Sequence, residues 1–104
     1  MVRAETKLIV WDGKTFAPGG DVTLESGGSG NAWDGTLELR SGATFLASGT
    51  QVHSVGGDFT IGSGAVFTPG SSTFVFTATT TGKTIAPHGS SFYSVTFNGT
   101  GGNW

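Results

Sequence analysis

Short runs of alternating apolar and polar residues dominate the hydrophobic pattern of the chain. Four runs rich in β-branched and aromatic residues occupy positions 21–24, 51–55, 73–76 and 93–97. Three further runs, at 8–11, 36–39 and 59–61, come shortly before glycines. Alternation with a period of two is typical of a β-strand that buries one face. The pattern therefore predicts an all-β chain built from many short strands.

A corner motif recurs between these runs. Each copy has a Gly, two further residues, a large apolar residue and then a small or Pro–Gly turn. The copies are GKTFAPGG from Gly13, GATFLASG from Gly42, GAVFTPGS from Gly64 and GKTIAPHG from Gly82. Gly and Pro suit corners because Gly adopts positive φ and Pro fixes φ near −65°. The motif aligns one column of apolar residues: Phe16, Phe45, Phe67 and Ile85.

Two all-β architectures are compatible with this repeat, a parallel β-solenoid (β-helix) and an antiparallel β-sandwich. In a solenoid each repeat is one coil stacked on the next, which explains why the corners recur with similar residues. A sandwich needs tight hairpins, but the Asn-Gly hairpin signal occurs only at 98–99. We predict a small parallel β-solenoid of about four irregular coils, with the sandwich as the alternative. The predicted core comprises the four aligned corner residues and Val22, Leu24, Val52, Phe74, Phe76, Val95 and Phe97.

Composition agrees with a β fold and narrows the possible chemistry. The 104 residues include 19 Gly, 16 Thr and 11 Ser, all of which are poor helix formers. No Cys is present, which excludes disulfides, thiolate metal sites and a thiol nucleophile. The length suits one domain over 1–104, with repeat units starting near 13, 42, 64 and 82. We expect this domain to be a fragment or subunit of a longer assembly.

Charge is distributed unevenly along the chain. Ten of the twelve charged residues fall within positions 1–40, and the net charge is −2. No basic patch is present, so we expect no nucleic-acid partner. No apolar run approaches the ~20 residues of a membrane span, so we expect no membrane insertion. The second half must present a neutral, hydroxyl-rich surface, which is unusual for a freely diffusing monomer.

The second half also resembles a known class of proteins. The motifs GSGAVFTPGSS, GKTIAPHGSSFYSVTFNG and TGGNW are similar to the repeats of large bacterial and archaeal surface proteins. Those proteins are adhesin-like chains with a parallel β-helix architecture. The resemblance covers nearly half of the chain, and the first half matches only in the corner pattern. It implies an extracellular or cell-surface module and adds nothing on catalytic activity.

Residues suited to catalysis or metal binding are sparse. His53 and His88 lie in different repeats, and alternation predicts that His53 points outward from its strand. A metal site needs three or four converging ligands, and two His do not provide them. Asp12 and Asp34 share the context Trp-Asp-Gly, but Asp-Gly is first a turn signal. We therefore expect no catalytic residues, no metal and no cofactor, and a carbohydrate-active enzyme is the least favoured interpretation.

The three tryptophans are the candidate binding residues. Exposed Trp11, Trp33 and Trp104 could stack on the rings of a polysaccharide. The alternative is that they pack against the fold, as large aromatic side chains usually do. The sequence favours packing, with glycan binding as the second interpretation.

These observations predict a non-enzymatic, extracellular structural or adhesive module that stacks or self-assembles at the cell surface. The alternative is a carbohydrate-binding module that uses the tryptophans. The last repeat, 92–104, carries no charge, and the outer strand of a solenoid leaves unpaired backbone groups that can pair with another chain. We therefore expect a dimer or an end-to-end filament in which the strand at 7–11 of one copy completes the last coil of another.

Overall fold

A computed structural model describes residues 2–4, 7–25, 33–79 and 82–99, with 2–4 described by their backbone alone. These ranges contain short β-strands joined by turns and no helix. The strands are β1 (Val2–Ala4), β2 (Leu8–Val10), β3 (Thr15–Phe16), β4 (Val22–Leu24), β5 (Leu37–Leu39), β6 (Thr44–Leu46), β7 (Val52–Val55), β8 (Phe59–Ile61), β9 (Val66–Thr68), β10 (Thr73–Phe76), β11 (Ile85–Ala86) and β12 (Ser94–Phe97).

The strands form three parallel sheets that the chain visits in turn. Sheet A has the order β1-β4-β7-β10-β12, sheet B β2-β5-β8-β11, and sheet C β3-β6-β9. Every pairing between the described strands is parallel. The first coil is β2 to β4, the second β5 to β7, the third β8 to β10, and the fourth holds β11 and β12. This arrangement confirms the predicted parallel β-solenoid and shows that the sandwich alternative is wrong.

The corner from sheet B to sheet C is the most regular part of each coil. Its glycines have positive φ, 72° at Gly13, 77° at Gly42, 77° at Gly64 and 82° at Gly89. Side chains disfavour that backbone region, so Gly is the residue that fits. A backbone hydrogen bond spans each turn, as from the Ala43 N–H to the Arg40 carbonyl at 3.0 Å. A Phe follows each of these glycines three residues later.

The structure of the fourth coil shows that the predicted alignment of the repeats is wrong at this position. Ile85 lies in β11 and pairs with Phe59 of sheet B, so its predicted equivalence to Phe67 of sheet C is wrong. Gly82 does have positive φ, but it lies shortly before β11 of sheet B. Phe92 instead continues the column, because its ring lies 5.5 Å from that of Phe67. The fourth corner therefore centres on Gly89 rather than Gly82.

A stack of phenylalanines runs through the coils and forms the centre of the core. Ring centroids are 5.5 Å apart from Phe16 to Phe45, 5.7 Å from Phe45 to Phe67 and 5.5 Å from Phe67 to Phe92. Phe45 is fully buried, whereas Phe16, Phe67 and Phe92 are half-buried. Tilted and edge-to-face aromatic pairs at these distances stabilise a core beyond the area they bury. The stack therefore links all four coils.

Three predicted core residues are exposed, namely Val52, Val95 and Phe97. Val52 faces solvent because β7 aligns His53, not Val52, with Val22 and Phe74. Val95 and Phe97 do continue the columns of Phe74 and Phe76, but β12 is the outermost described strand of sheet A. The other predicted inward residues of sheet A are buried as expected: Val22, Leu24, Phe74 and Phe76.

Candidate functional site

The two described tryptophans are exposed and lie at opposite ends of the strands of sheet B. Trp11 directly follows β2 and is 57% exposed, and Trp33 lies in the turn before β5 and is 50% exposed. Each carbonyl accepts a turn hydrogen bond, from the Lys14 N–H at Trp11 and from the Thr36 N–H at Trp33. The sequence favoured packed tryptophans, and the structure instead leaves these two on the surface. Trp104 lies outside the described residues.

Trp11 belongs to a cluster of charged side chains on the outer face of sheet B. The Arg40 guanidinium carbon lies 4.6 Å from the centre of the Trp11 ring, close enough for a cation–π contact. Glu38 ion-pairs with Lys7 at 2.8 Å and with the Arg40 Nε at 2.6 Å. Ile9 pairs with Glu38 across the strands, which places Arg40 beside Trp11. One face of the Trp11 ring is therefore covered by Arg40.

The two Trp-Asp-Gly segments occupy different corners of the solenoid. Asp12 lies in the exposed turn after β2, whereas Asp34 lies buried in the turn before β5. Both following glycines have positive φ, 72° at Gly13 and 80° at Gly35, as expected of turns. The two carboxylates therefore do not stack on neighbouring strands as a pair flanking one sugar would require.

His53 is buried, and the prediction that it points outward is wrong. Its Nδ1 accepts a hydrogen bond from the Val22 N–H at 3.1 Å. The imidazole packs against Phe45 and Phe74, with ring centroids 5.6 and 5.2 Å away. Desolvation by burial lowers the pKa of His53 from its ordinary value of 6.5, and the Asp21 carboxylate partly opposes this by raising it. A neutral imidazole is the form that this site holds.

His88 has a different environment from His53. It is exposed in the turn from Pro87 to Ser90 and has a positive φ of 50°. This is the turn that carries Gly89, so His88 takes the position that Ser63 has before Gly64. The structure therefore does not bring the two histidines to equivalent positions on neighbouring coils.

The described ranges contain neither a cluster of metal ligands nor a helix that could span a membrane. No three His, Asp or Glu side chains there lie close enough together to hold a metal ion. The same ranges contain no helix of the length and apolarity needed to cross a bilayer.

The fourth coil exposes apolar side chains at one end of the solenoid. Tyr93 is 66% exposed, Phe97 59% and Val95 38%. Phe97 stacks on Phe76, with ring centroids 5.5 Å apart and planes 26° apart. Exposed apolar side chains grouped beside an outermost strand are typical of an interaction surface. We call Tyr93, Val95 and Phe97 the open end.

Comparison with protein-family models, with curated proteins and with solved structures finds no match to this chain. Among the described residues, the candidate surfaces are those of Trp11 and Trp33 at the two ends of the sheet B strands, and the open end.

Proposed function

We propose that this chain is a non-enzymatic structural module of the cell surface or extracellular space that self-associates through its open end. The observation that carries this proposal is the exposure of Val95 and Phe97, which continue inward-facing columns of sheet A. Residues in such columns are covered elsewhere by the next coil. A neighbouring chain would supply such a coil against β12.

The third coil shows how a neighbouring coil buries the residues of these columns. Phe74 and Phe76 pair with Val95 and Phe97 along sheet A, and both phenylalanines are 0% exposed. Covering a Phe side chain stabilises by about 1.5–3 kcal/mol relative to leaving it exposed. A strand from another copy would also satisfy backbone groups on the edge of β12 that pairs with no described strand.

The charge distribution favours contact between copies at this end. Beyond residue 40 the chain has only two charged residues, Asp58 and Lys83. None lies in 85–99, so no charged side chain of the fourth coil has to be desolvated when two copies meet there. The resemblance to surface-protein repeats supports the same proposal and is the reason for placing the module outside the cell.

Light scattering after size exclusion, at several concentrations, tests the proposal. We expect a mass above the 10.6 kDa of one chain that rises with concentration. Phe97→Ser should shift the equilibrium to the monomer. Leu46→Ser, which removes a 44% exposed apolar side chain from sheet C, should leave it unchanged. A monomer at every concentration, or equal effects of the two substitutions, would contradict the proposal.

The exposed tryptophans favour a second candidate function, the binding of an insoluble polysaccharide. Trp33 and the uncovered face of Trp11 both present flat apolar rings to solvent, the kind of surface that stacks on sugars. Retention on cellulose, chitin and peptidoglycan tests this function. Trp11→Ala and Trp33→Ala should each reduce retention, whereas Tyr93→Ala on the fourth coil should not. Retention that is absent, or unchanged in both Trp variants, would count against it.

A further inference from the structure

Two side chains form the first rung of hydrogen bonds between β4 and β7. The Val22 N–H donates to the His53 Nδ1 at 3.1 Å, and the Val52 N–H donates to the Asp21 Oδ1 at 2.9 Å. At the corresponding place between β7 and β10 the bond is a backbone one, from the Thr73 N–H to the Gln51 carbonyl at 2.9 Å. The first and second coils are therefore joined here by an imidazole and a carboxylate.

The imidazole of this rung lies in apolar surroundings. His53 is 1% exposed and contacts Phe45 of β6 and Phe74 of β10. Strands β4, β6, β7 and β10 contain no Asp, Glu, Lys or Arg, and Asp21 is the charged group that acts on the ring. The His53 Nε2 is buried and has no hydrogen-bond partner among the described residues. A positive charge on this ring would therefore have little to stabilise it except the Asp21 carboxylate.

We propose that His53 is an acid-sensitive latch that holds the first coil on the second. Accepting the Val22 N–H leaves Nδ1 without a proton, so the neutral ring carries its proton on Nε2. When solvent supplies a second proton, it must go to Nδ1, which then becomes a donor facing the donor Val22 N–H. The hydrogen bond is lost and a cation is left between two Phe rings. Opening of the β4–β7 rung lets the imidazolium reach water.

The direction of the pH effect follows from burial. Desolvation lowers the pKa of His53 below 6.5 in the closed state, although the Asp21 carboxylate raises it in part. The open state has the higher pKa, so it takes up the proton first as the pH falls. The latch is therefore closed above pH 6.5 and loosens as the pH falls below that value toward the closed-state pKa. Uptake of one proton changes the opening equilibrium by at most about tenfold per pH unit.

The same geometry predicts where the molecule opens. The bonds from the Thr73 N–H to Gln51 and from the Thr77 N–H to the Val55 carbonyl are backbone bonds between the second and third coils. Neither contains a group that titrates near pH 6. Acid should therefore open the first coil at the β4–β7 rung, around Val22 and Val52, while the second and third coils stay paired.

Amide hydrogen exchange between pH 7.5 and 5, corrected for the intrinsic pH dependence of exchange, tests the latch. Val22 and Val52 should lose protection as the pH falls, and Thr73 and Thr77 should keep theirs. His53→Asn places a neutral acceptor near the position of Nδ1, so it should remove the pH dependence. His88→Gln removes the exposed histidine and should retain it. Asp21→Asn keeps an acceptor for Val52 but removes the charge that raises the closed-state pKa of His53, so it should enlarge the loss of protection below pH 6.5.

Three outcomes would overturn the latch. The loss of protection could persist in His53→Asn, spread equally to Thr73 and Thr77, or be absent. If His53→Asn does not fold, an NMR titration of the His53 ring in the unsubstituted chain still decides the matter. A midpoint below 6.5 that coincides with the loss of Val22 protection supports the latch. A midpoint at or above 6.5 contradicts it.

Discussion

The third and fourth coils place aromatic and aliphatic residues in the same inward columns of sheet A but bury them very differently. Phe74 pairs with Val95, and Phe76 with Phe97, in continuous register. The two residues of the third coil are 0% exposed, whereas Val95 is 38% and Phe97 59% exposed. Strand β10 has neighbours on both sides, but β12 has only β10 among the described strands.

This difference shows that burial in a solenoid comes from the neighbouring coil rather than from the strand itself. Alternation sets the direction in which a side chain points, and the next coil determines whether it is covered. Stability should then be close to a sum of terms for each coil and each contact between adjacent coils. Substitutions at equivalent positions of the two coils should therefore have unequal effects.

The largest difference is expected between Phe74→Ala and Phe97→Ala. The Phe74 ring contacts those of His53, Phe67 and Phe92 at 5.2, 5.3 and 5.4 Å, so its removal leaves a cavity. We expect a loss of about 3–5 kcal/mol in the free energy of unfolding. Phe97→Ala should cost about 1 kcal/mol or less, since most of its surface is already in water. Urea unfolding measures both, and similar losses would show that the fourth coil is covered like the third.

A smaller difference is expected between two glycines. A Cβ at Gly57, between β7 and β8, would lie 2.6 Å from the Asp34 carbonyl oxygen and 2.8 Å from the Thr36 nitrogen. Gly57→Ala should therefore destabilise by about 3 kcal/mol through overpacking against backbone. At Gly89 of the fourth coil no atom lies within 4 Å, and only the φ of +82° opposes a side chain. Gly89→Ala should cost about 1 kcal/mol. Thermal unfolding distinguishes the two, and the reverse order would contradict close contact between the second and third coils.

The smallest expected effect concerns the attachment of the fourth coil to the third. The Asp58 Oδ1 accepts a hydrogen bond from the Thr84 N–H at 2.7 Å, just before β11. Asp58→Ala should cost about 1 kcal/mol and speed amide exchange at Thr84. Asp58→Asn retains an acceptor and serves as the matched control. Unchanged exchange at Thr84 in Asp58→Ala would mean that the pairing of β11 with β8 alone holds the coil in place.

Much of the fold could be predicted from local patterns, and the errors have identifiable causes. The spacing of Gly and Phe at the corners is a local requirement of backbone conformation, so the first three corners are visible in the sequence. The fourth was misplaced because Ile85 is followed by Pro87, as Phe67 is by Pro69. Phe92 is followed almost at once by β12, without such a turn. The similar turns at Pro69 and Pro87 therefore led to an alignment that put Ile85, rather than Phe92, in the column of Phe67.

The surroundings of individual side chains were harder to predict because they depend on register between distant segments. A shift of one residue in β7 reverses every side chain of the strand, and so it exchanged the predicted roles of Val52 and His53. The side-chain rung involving Asp21 holds this register. The contact of Arg40 with Trp11 likewise joins two coils and leaves no local signature in the sequence. The exposure of Trp11 and Trp33 also could not be predicted from the sequence, which favoured packed tryptophans.

The regular corner from sheet B to sheet C has a consequence for how such a chain can change. That corner spans 11–14, 40–43 and 62–65, which is the same length in three coils. In the fourth coil the corner begins at Pro87, directly after β11. The connections from sheet A to sheet B span 25–36, 56–58 and 77–84, whereas those from sheet C to sheet A span 17–21, 47–51 and 69–72, so the length of a coil varies mostly at one edge. Lengthening a loop costs little entropy and leaves the three sheets in register. Insertions, evolved or engineered, would therefore accumulate along this single edge and could diversify it while the phenylalanine stack stays the same.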